Sequence, residues 1–325
     1  MAVLGVVVVA LAAFVAFLLV KPVDAVGATA APRPTASFAE ASARFGEVAQ
    51  REEARGNLLP ACRSKLLSSG ARTARVVVLF HGYTNCPQQF EQLGEQLAAK
   101  GFNVYIPLAP EQGEADREHS TLGDLTTAEL IDYGKESLDI AAGLGDRVTV
   151  LGLSGGGAVA AYLAQTRPEV DLAVPVAPYL GLPWAPEWLT PALVNVADLL
   201  PPIGIGTSES AASGSGTYAP YASFDNNTRS ATAYMRLGLI TLAAAAGSPP
   251  AASRTLTIVN EADDTVNNGT IDVLTGRWRS LAPDATREYR FPAALKLPHD
   301  LVGPDRVDQR VSEVYPVLLD LVGEP

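Results

Sequence analysis

The sequence predicts an α/β fold in which helices cover both faces of a mostly parallel sheet. Short, continuously apolar segments such as residues 75–81 and 147–153 have the length and composition of strands buried on both faces. Segments with a helical spacing of apolar residues lie between them. This alternation is typical of parallel strands joined by helical crossovers. The chain of 325 residues is long enough to bury one large core.

The predicted elements follow one another along the chain. Residues 75–81 form the first strand, and a helical stripe over residues 90–100 ends at Gly101. The further elements are strands at 103–108, 147–153, 171–176, 255–259 and 288–291, and helices at 126–144, 158–165 and 307–321.

Residues 179–250 break this alternation. They are rich in Pro, Gly and Ser, and they exceed the length of an ordinary loop. We expect an insertion at about residues 180–250 with short helices of its own. This insertion is either a cap over an active site, with aromatic residues that line an acyl pocket, or a surface segment held together by those aromatic residues. They are Trp184, Trp188, Tyr218 and Tyr221.

Residues 1–22 differ in composition from the rest of the chain. Residues 2–20 carry no polar side chain, and Lys21 ends this apolar run. A helix of about this length crosses a bilayer, so we expect a membrane anchor, or a signal segment that is cleaved after small residues at 23–25 or 28–30. The chain is then extracytoplasmic, either anchored or secreted. Residues 23–55 are predicted to be a linker and a short amphipathic helix, and residues 56–325 the folded domain.

Charge and composition exclude several classes of function. The chain has 35 acidic and 24 basic residues, a net charge of −11, whereas nucleic-acid binding requires a basic face. Two cysteines and three histidines are too few for a four-ligand Cys/His zinc cluster. We therefore expect no nucleic-acid partner and no metal.

A Gly-x-Ser-x-Gly motif occupies residues 152–156, between an apolar strand and an alanine-rich helix. A nucleophile on such a sharp strand-to-helix turn has strained backbone, and its neighbours must lack bulky side chains. The amino terminus of the following helix presents unpaired N–H groups to developing negative charge. Ser154 is the candidate nucleophile, and the N–H of Gly155 is a candidate donor to the oxyanion.

Two later segments supply candidate partners for Ser154. Asp263 and Asp264 follow the predicted strand at 255–259, where a triad carboxylate is expected. We favour Asp263, with an Asx turn as the alternative interpretation of either residue. His299 lies in a loop before the closing helix and completes the order Ser, Asp, His. His119 lies in a charged stretch and is expected at the surface.

The first predicted strand ends in His81, Gly82 and Tyr83. In the same architecture this loop supplies a second backbone N–H to the oxyanion, which assigns that role to Tyr83. His81 precedes the nucleophile, so we expect it to make structural hydrogen bonds rather than to act as the base.

Taken together, these motifs resemble the α/β-hydrolase superfamily, in particular its serine esterase and monoacylglycerol-lipase-like branch with a His-Gly-aromatic oxyanion loop. The resemblance extends over about residues 76–319. It implies an α/β-hydrolase fold and a cofactor-free serine ester hydrolase that forms an acyl-enzyme on Ser154. Asp263 and His299 complete the triad, Tyr83 and Gly155 form the oxyanion hole, and the substrate is a small ester or an acyl lipid.

The sequence leaves the substrate class open. Residues 111–113 read Glu-Gln-Gly, where lipases of this branch often have Gly-His-Gly. The same triad serves acyltransferases and peptidases, and a fold does not determine its function. A non-catalytic, membrane-tethered binding protein is a third hypothesis, which the ordered Ser, Asp and His disfavour.

Cys62 and Cys86 are the only cysteines of the chain, and we predict that they form a disulfide. Export would place the domain in an oxidising compartment, where paired thiols persist as bridges. The two residues flank the first predicted strand, so a bridge would restrain the loop that follows Tyr83. Two unrelated buried thiols are the alternative.

Overall fold

The computed structural model describes residues 2–21, 29–117, 121–205, 219–224 and 226–323. In these residues one sheet contains seven strands in the order β1-β3-β2-β4-β5-β6-β7. They are β1 (Lys65–Leu67), β2 (Thr73–Phe80), β3 (Asn103–Ile106), β4 (Gly145–Leu153), β5 (Val170–Val176), β6 (Arg254–Asn260) and β7 (Thr286–Phe291). Only the pairing of β1 with β3 is antiparallel among the described strand pairs. The predicted α/β architecture with a mostly parallel sheet is confirmed.

Helices connect and cover these strands. The described helices are α1 (Ala2–Val20), α2 (Phe38–Arg55), α3 (Glu91–Ala99), α4 (Thr127–Leu144), α5 (Gly155–Thr166), α6 (Thr190–Leu199), α7 (Thr228–Ala245), α8 (Asn268–Leu281) and α9 (Val311–Gly323). The predicted strands and helices recur with shifted ends, and where a helix has a side-chain cap, that cap rather than the apolar spacing sets its first residue. Thr126, for example, accepts a hydrogen bond from Glu129 N and forms a capping box, so α4 starts one residue later than predicted.

The strand order changes direction at β2, which lies between β3 and β4. Such a switch in a parallel sheet opens a crevice at the carboxyl ends of the strands on either side. The loop after β2 and the turn after β4 therefore begin side by side, since Phe80 pairs with Gly152 at the ends of these strands. Residues 76–80 of β2 are fully buried, as their continuous apolar run predicts.

The predicted amphipathic segment before the domain is helix α2. The Ser37 side chain accepts a hydrogen bond from Glu40 N at the amino end of this helix, and Gly56 ends it with φ +70°. On the buried side, the Phe45 ring meets the Tyr105 ring edge-on at a centroid distance of 5.8 Å. This contact attaches α2 to the sheet.

Helix α1 lies within residues 1–22, the segment predicted to be an anchor or a signal. Leu18 near its carboxyl end is buried, and Asn195 Nδ2 of α6 donates to the backbone oxygens of Leu18 (2.7 Å) and Lys21 (3.2 Å). None of the helices in the described residues has both the length and the apolarity required to cross a membrane. Most of the two candidate cleavage segments, 23–25 and 28–30, lies outside the described residues.

The expected insertion at about 180–250 contains helices α6 and α7. Trp184 and Trp188 are each 67% exposed and do not line the cavity beside Ser154 that is described below. Tyr221 is buried, and Tyr218 lies outside the described residues. Helix α7 is longer than expected and packs on α4 and α5, so its buried side forms part of the core. Whether the remainder acts as a cap stays a prediction.

Helix α5 runs back across the ends of β2 and β4 at a very short distance. A Cβ atom on Gly152 would lie 2.1 Å from Gly156 O, and one on Gly156 would lie 2.0 Å from Phe80 O. Both contacts are with backbone atoms, which cannot move aside as a flexible side chain can. The two glycines of the motif are therefore required by packing.

We expect Gly156→Ala to lower the free energy of unfolding by about 3 kcal/mol or more, because overpacking here strains backbone. Gly46→Ala in α2 is the matched control, since no atom lies within 4 Å of its added Cβ. That substitution should leave stability unchanged or raise it by up to about 1 kcal/mol. Urea unfolding of both variants checks the prediction, and equal midpoints for the two would contradict it.

The predicted disulfide between Cys62 and Cys86 is confirmed, with Cα atoms 5.0 Å apart. Cys62 ends the short 3₁₀ turn Pro60–Cys62, and Cys86 follows Tyr83 by three residues. Both are fully buried in a small apolar cluster that includes Tyr221. The bond thus ties the chain before β1 to the loop after β2.

Replacing both cysteines by alanine should lower the free energy of unfolding by roughly 3 kcal/mol, because an unbridged denatured chain gains entropy. Urea denaturation of the wild type with and without reductant, beside the double variant, measures this loss. The reduced wild type should unfold close to the variant. A double variant as stable as the oxidised protein would show that packing alone holds the two segments.

Candidate active site

Ser154 lies at the turn between β4 and α5, in a backbone conformation that residues other than glycine rarely adopt. Its φ is +57° and its ψ is −115°. Ser154 N donates to Val176 O (3.0 Å), and Tyr179 N donates to Ser154 O (2.9 Å). These bonds to β5 and the residues after it hold the turn, which leaves the Ser154 side chain partly exposed in a cavity.

Asp263 and His299 are in direct contact. His299 Nδ1 donates to Asp263 Oδ2 at 2.6 Å, and the Asp263 side chain is fully buried whereas that of His299 is 20% exposed. Asp263 Oδ1 also accepts hydrogen bonds from Thr265 N (2.9 Å) and Val266 N (3.4 Å). Asp263 therefore closes a local turn and orients an imidazole at the same time.

Asp264, the other carboxylate considered in the sequence, points elsewhere. It is exposed and lines the cavity, while its neighbour Asp263 makes the contact to His299. The turn from Asn260 fixes this choice, because Asp263 N donates to Asn260 O (3.1 Å).

Gly155 lies close to the backbone nitrogen of Tyr83. A Cβ on Gly155 would lie 3.0 Å from Tyr83 N, so a larger residue there would obstruct this amide. Gly155 begins α5, where the first N–H groups of a helix have no partner within it. The structure thus brings together the two amides that the sequence assigns to an oxyanion hole.

His81 makes structural hydrogen bonds, as expected. It is 1% exposed, and burial lowers the pKa of its imidazole to about 4, while a hydrogen bond to Gly82 O opposes this shift. Ala109 N–H donates to His81 Nε2 (3.0 Å), so the proton of the neutral ring is on Nδ1, which donates to Gly82 O (3.0 Å). Both ring nitrogens are occupied and neither can serve as a base.

Helix α7 contacts the Tyr83 side chain, a feature that sequence patterns did not predict. Tyr83 Oη lies 2.7 Å from Ser230 Oγ, and the Tyr83 ring meets the edge of the Tyr234 ring at 5.3 Å. Gln112 Nε2 donates to Tyr234 Oη (2.9 Å). Burial raises the pKa of Tyr234, which therefore stays a neutral phenol. Gln112, in the Glu-Gln-Gly segment, thus holds the Tyr234 ring that packs against Tyr83.

Ser154 and His299 line one cavity of about 600 Å³. Among its charged lining residues, Arg306 and Asp308 form a two-point ion pair at 2.9 and 2.8 Å, so their charges offset each other. Further polar and apolar lining residues are Asn85, Asn226, Tyr179, Leu182, Ile205, Ala219 and Ala222. Asp264 and Asp300 also border the cavity, so its wall combines carboxylates with neutral polar and apolar side chains.

The described residues contain no group of three or more His, Cys, Asp or Glu side chains that could hold a metal ion. His119, which the sequence places at the surface, lies outside the described residues.

Comparison with known proteins gives one family and several relatives. The hydrolase family described as "Serine aminopeptidase, S33" matches residues 71–241, more than half of the chain. A thermostable monoacylglycerol lipase of Bacillus sp. (strain H-257) is 30% identical over 111 residues, which are 33% of this chain and 42% of that protein. The matched region thus spans less than half of that relative's length.

Solved structures show the same fold at low sequence identity. A metagenome-derived lipolytic enzyme has a TM-score of 0.59 and 17% identity, covering 82% of this chain and 99% of its own. Paleococcus ferrophilus monoacylglycerol lipase has a TM-score of 0.58 and 18% identity, with coverages of 80% and 97%. A soluble variant of Saccharomyces cerevisiae monoglyceride lipase has a TM-score of 0.56 and 12% identity, with coverages of 80% and 89%.

The sheet order, the Ser154 turn and the match over residues 71–241 agree with one another. The chain belongs to the S33 serine aminopeptidase family of α/β-hydrolases.

Proposed function

We propose that the protein is a serine hydrolase that cleaves carboxylic esters through an acyl-enzyme on Ser154. The observation that carries the proposal is the 2.6 Å hydrogen bond from His299 Nδ1 to Asp263, beside the cavity into which the Ser154 turn opens. A serine on a strained turn, an imidazole and a buried carboxylate form a set that activates a hydroxyl for attack on a carbonyl.

In the first half-reaction, Ser154 Oγ attacks the ester carbonyl carbon while His299 Nε2 takes the hydroxyl proton. Asp263 remains a carboxylate, holds the Nδ1–H tautomer and stabilises the imidazolium. The Tyr83 and Gly155 amides donate to the oxyanion of the tetrahedral intermediate, each contributing on the order of 3 kcal/mol. The bond to the alcohol oxygen then breaks, and His299 gives its proton to the departing alcohol.

Deacylation follows the same path with water as the nucleophile. His299 removes a proton from water, the hydroxide oxygen attacks the acyl carbon, and the same two amides stabilise the second intermediate. Its collapse returns the proton to Ser154 and releases the carboxylic acid. Neither step requires a redox or metal partner.

Several features support an ester as the substrate. The cavity offers both apolar side chains and neutral polar ones, which suits an amphiphilic ester. The Bacillus relative is a monoacylglycerol lipase, and we propose a small ester or acyl lipid for this chain also. A preference for aminoacyl amides, in line with the family's description, or for acyl transfer to an added alcohol would replace this proposal.

We also propose an oxidising, extracytoplasmic location. The Cys62–Cys86 disulfide supports it, because such bonds are rare in reducing compartments. Thiol alkylation of the protein in its own cells, followed by mass spectrometry, tests it. Two alkylated cysteines in freshly lysed cells would contradict the proposal.

We expect Ser154→Ala to reduce kcat for p-nitrophenyl esters by about 10⁴-fold or more, because the covalent path is lost. Circular dichroism and a thermal melt should show an intact fold. An acyl-chain series, with aminoacyl p-nitroanilides in parallel, identifies the preferred bond in the wild type. A folded Ser154→Ala protein that kept most of its esterase activity would exclude Ser154 as the nucleophile.

We expect Asp263→Asn to lower kcat by about 10⁴-fold, because an amide favours the wrong imidazole tautomer. Asp264→Asn is the matched control, since Asp264 is exposed at the cavity wall and the hydrogen bond to His299 comes from Asp263. Steady-state kinetics of the two variants distinguishes them. If Asp264→Asn were the more damaging change, the acid would have to be reassigned.

A further inference from the structure

A line of hydrogen bonds joins the oxyanion loop (residues 81–86) to the histidine loop (residues 296–303). Gly82 N–H donates to Gln89 Oε1 at 2.8 Å, and Gln89 Nε2 donates to Asp300 Oδ2 at 2.9 Å. Gly82 directly precedes Tyr83, and Asp300 directly follows His299. We call this connection, from Gly82 through Gln89 to Asp300, the amide bridge.

The amide bridge requires the chemistry of a primary amide at residue 89. An amide side chain has one oxygen that accepts and one nitrogen that donates, whereas a carboxylate only accepts. Gln89 faces an N–H donor at Gly82 and a carboxylate acceptor at Asp300, so it satisfies both. Both residues border the cavity, but Gln89 is only 1% exposed and Asp300 only 5% exposed, so water has little access to these bonds.

The second oxygen of Asp300 fixes the histidine loop. Asp300 Oδ1 accepts hydrogen bonds from Val302 N (3.2 Å) and Gly303 N (2.8 Å). Tyr315 Oη of α9 donates to Val302 O (2.7 Å). The carboxylate thus connects the residues after His299 both to a turn held by α9 and to Gln89.

Hydrogen bonds hold both peptide groups that flank the Gly82 Cα atom. Its N–H donates to Gln89, and its carbonyl accepts hydrogen bonds from Asn85 N and His81 Nδ1, each at 3.0 Å. The Gly82 carbonyl and the Tyr83 N–H belong to one planar peptide group. Fixing Gly82 therefore fixes the direction in which the Tyr83 N–H points.

We propose that Gln89 and Asp300 are positioning residues that hold the Tyr83 amide and the His299 imidazole in a fixed relation. The proposal rests on the proposed serine-hydrolase function, in which both groups must meet the same carbonyl. Gln89 acts through Gly82, and Asp300 acts through the backbone next to His299. Small displacements of either group reduce catalysis strongly, because the oxyanion bonds depend on distance.

A polarity swap tests the amide bridge. Gln89→Glu places two acceptors opposite each other at residues 89 and 300 and breaks the bridge. Adding Asp300→Asn restores it with reversed polarity. The new amide nitrogen at residue 300 donates to the new carboxylate at residue 89, which still accepts from Gly82, and the amide oxygen at residue 300 still accepts from Val302 and Gly303. The double variant also keeps the formal charge of the wild type.

We expect Gln89→Glu to lower kcat by about 10- to 100-fold with little change in KM, as for a misplaced oxyanion donor. Affinity for an alkyl trifluoromethyl ketone, which forms an oxyanion on the serine, should fall by a similar factor. The double variant should regain kcat to within about threefold of the wild type. If Gln89 had only a structural role, Gln89→Glu would lower the melting temperature, and it would not lower kcat while leaving KM unchanged.

Gln88→Glu is the matched control. Gln88 is the adjacent residue, and its Oε1 accepts from Lys65 Nζ (2.9 Å) away from the amide bridge. It should retain wild-type kcat. Gln89→Met removes the bridge without adding charge, so it gives the same comparison of kcat with KM if Gln89→Glu fails to fold.

The outcomes separate the two proposals. A wild-type protein that hydrolyses no ester would contradict the proposed function. An ester hydrolase in which Gln89→Glu or Gln89→Met retains wild-type kcat would overturn the positioning role alone. A folded double variant no more active than Gln89→Glu would overturn it as well, since the restored hydrogen bonds should restore the rate.

Discussion

The backbone turn at Ser154 is the constraint on which the rest of the site depends. A φ of +57° in a residue with a side chain costs about 1–3 kcal/mol and persists only where surrounding structure enforces it. Two features enforce it here. The backbone of Ser154 is hydrogen-bonded to the backbones of Val176 and Tyr179, and α5 approaches β2 and β4 closely. Because that approach leaves no room for a Cβ at Gly152 or Gly156, both glycines follow from the geometry of the turn.

The remaining groups reach this turn from loops at the carboxyl ends of neighbouring strands. The order of the sheet puts β2 beside β4, so the loop with Tyr83 begins next to Ser154. Asp263 follows β6, and His299 follows β7, which lies three positions from β4. The histidine loop must therefore extend back over the sheet edge, and hydrogen bonds to Asp263 and through Asp300 hold it there. Each of these loops is therefore bonded to another loop as well as to its own strand.

Much of this arrangement follows from local sequence. Buried parallel strands are continuous apolar runs, and the Ser154 turn requires glycine at fixed positions, so both leave patterns that one sequence reveals. Strand β1 has three residues, too few for a pattern, and α8 begins with polar residues that conceal its buried Ile271 and Leu274. The sequence also did not reveal that Trp184 and Trp188 are exposed, because composition does not tell which side chains of an inserted segment face the cavity.

The contacts that join distant segments could not be predicted. Gln88 and Gln89 are identical neighbours, and only the three-dimensional structure shows that Gln89 lies between Gly82 and Asp300. Ser230 and Tyr234 of α7 likewise contact Tyr83, which lies much earlier in the chain. Tyr83 and Ser230 are 147 positions apart. Long-range polar contacts of this kind have no sequence period, unlike an amphipathic helix or a buried strand.

In the proposed mechanism, Ser154 attacks a carbonyl whose oxygen then lies between two backbone amides. A crystal structure of the protein after reaction with an alkyl fluorophosphonate tests this most directly. We predict a single adduct on Ser154 Oγ, with the phosphoryl oxygen about 2.7–3.1 Å from both Tyr83 N and Gly155 N. An adduct on another residue, or a phosphoryl oxygen directed away from both amides, would contradict this mechanism.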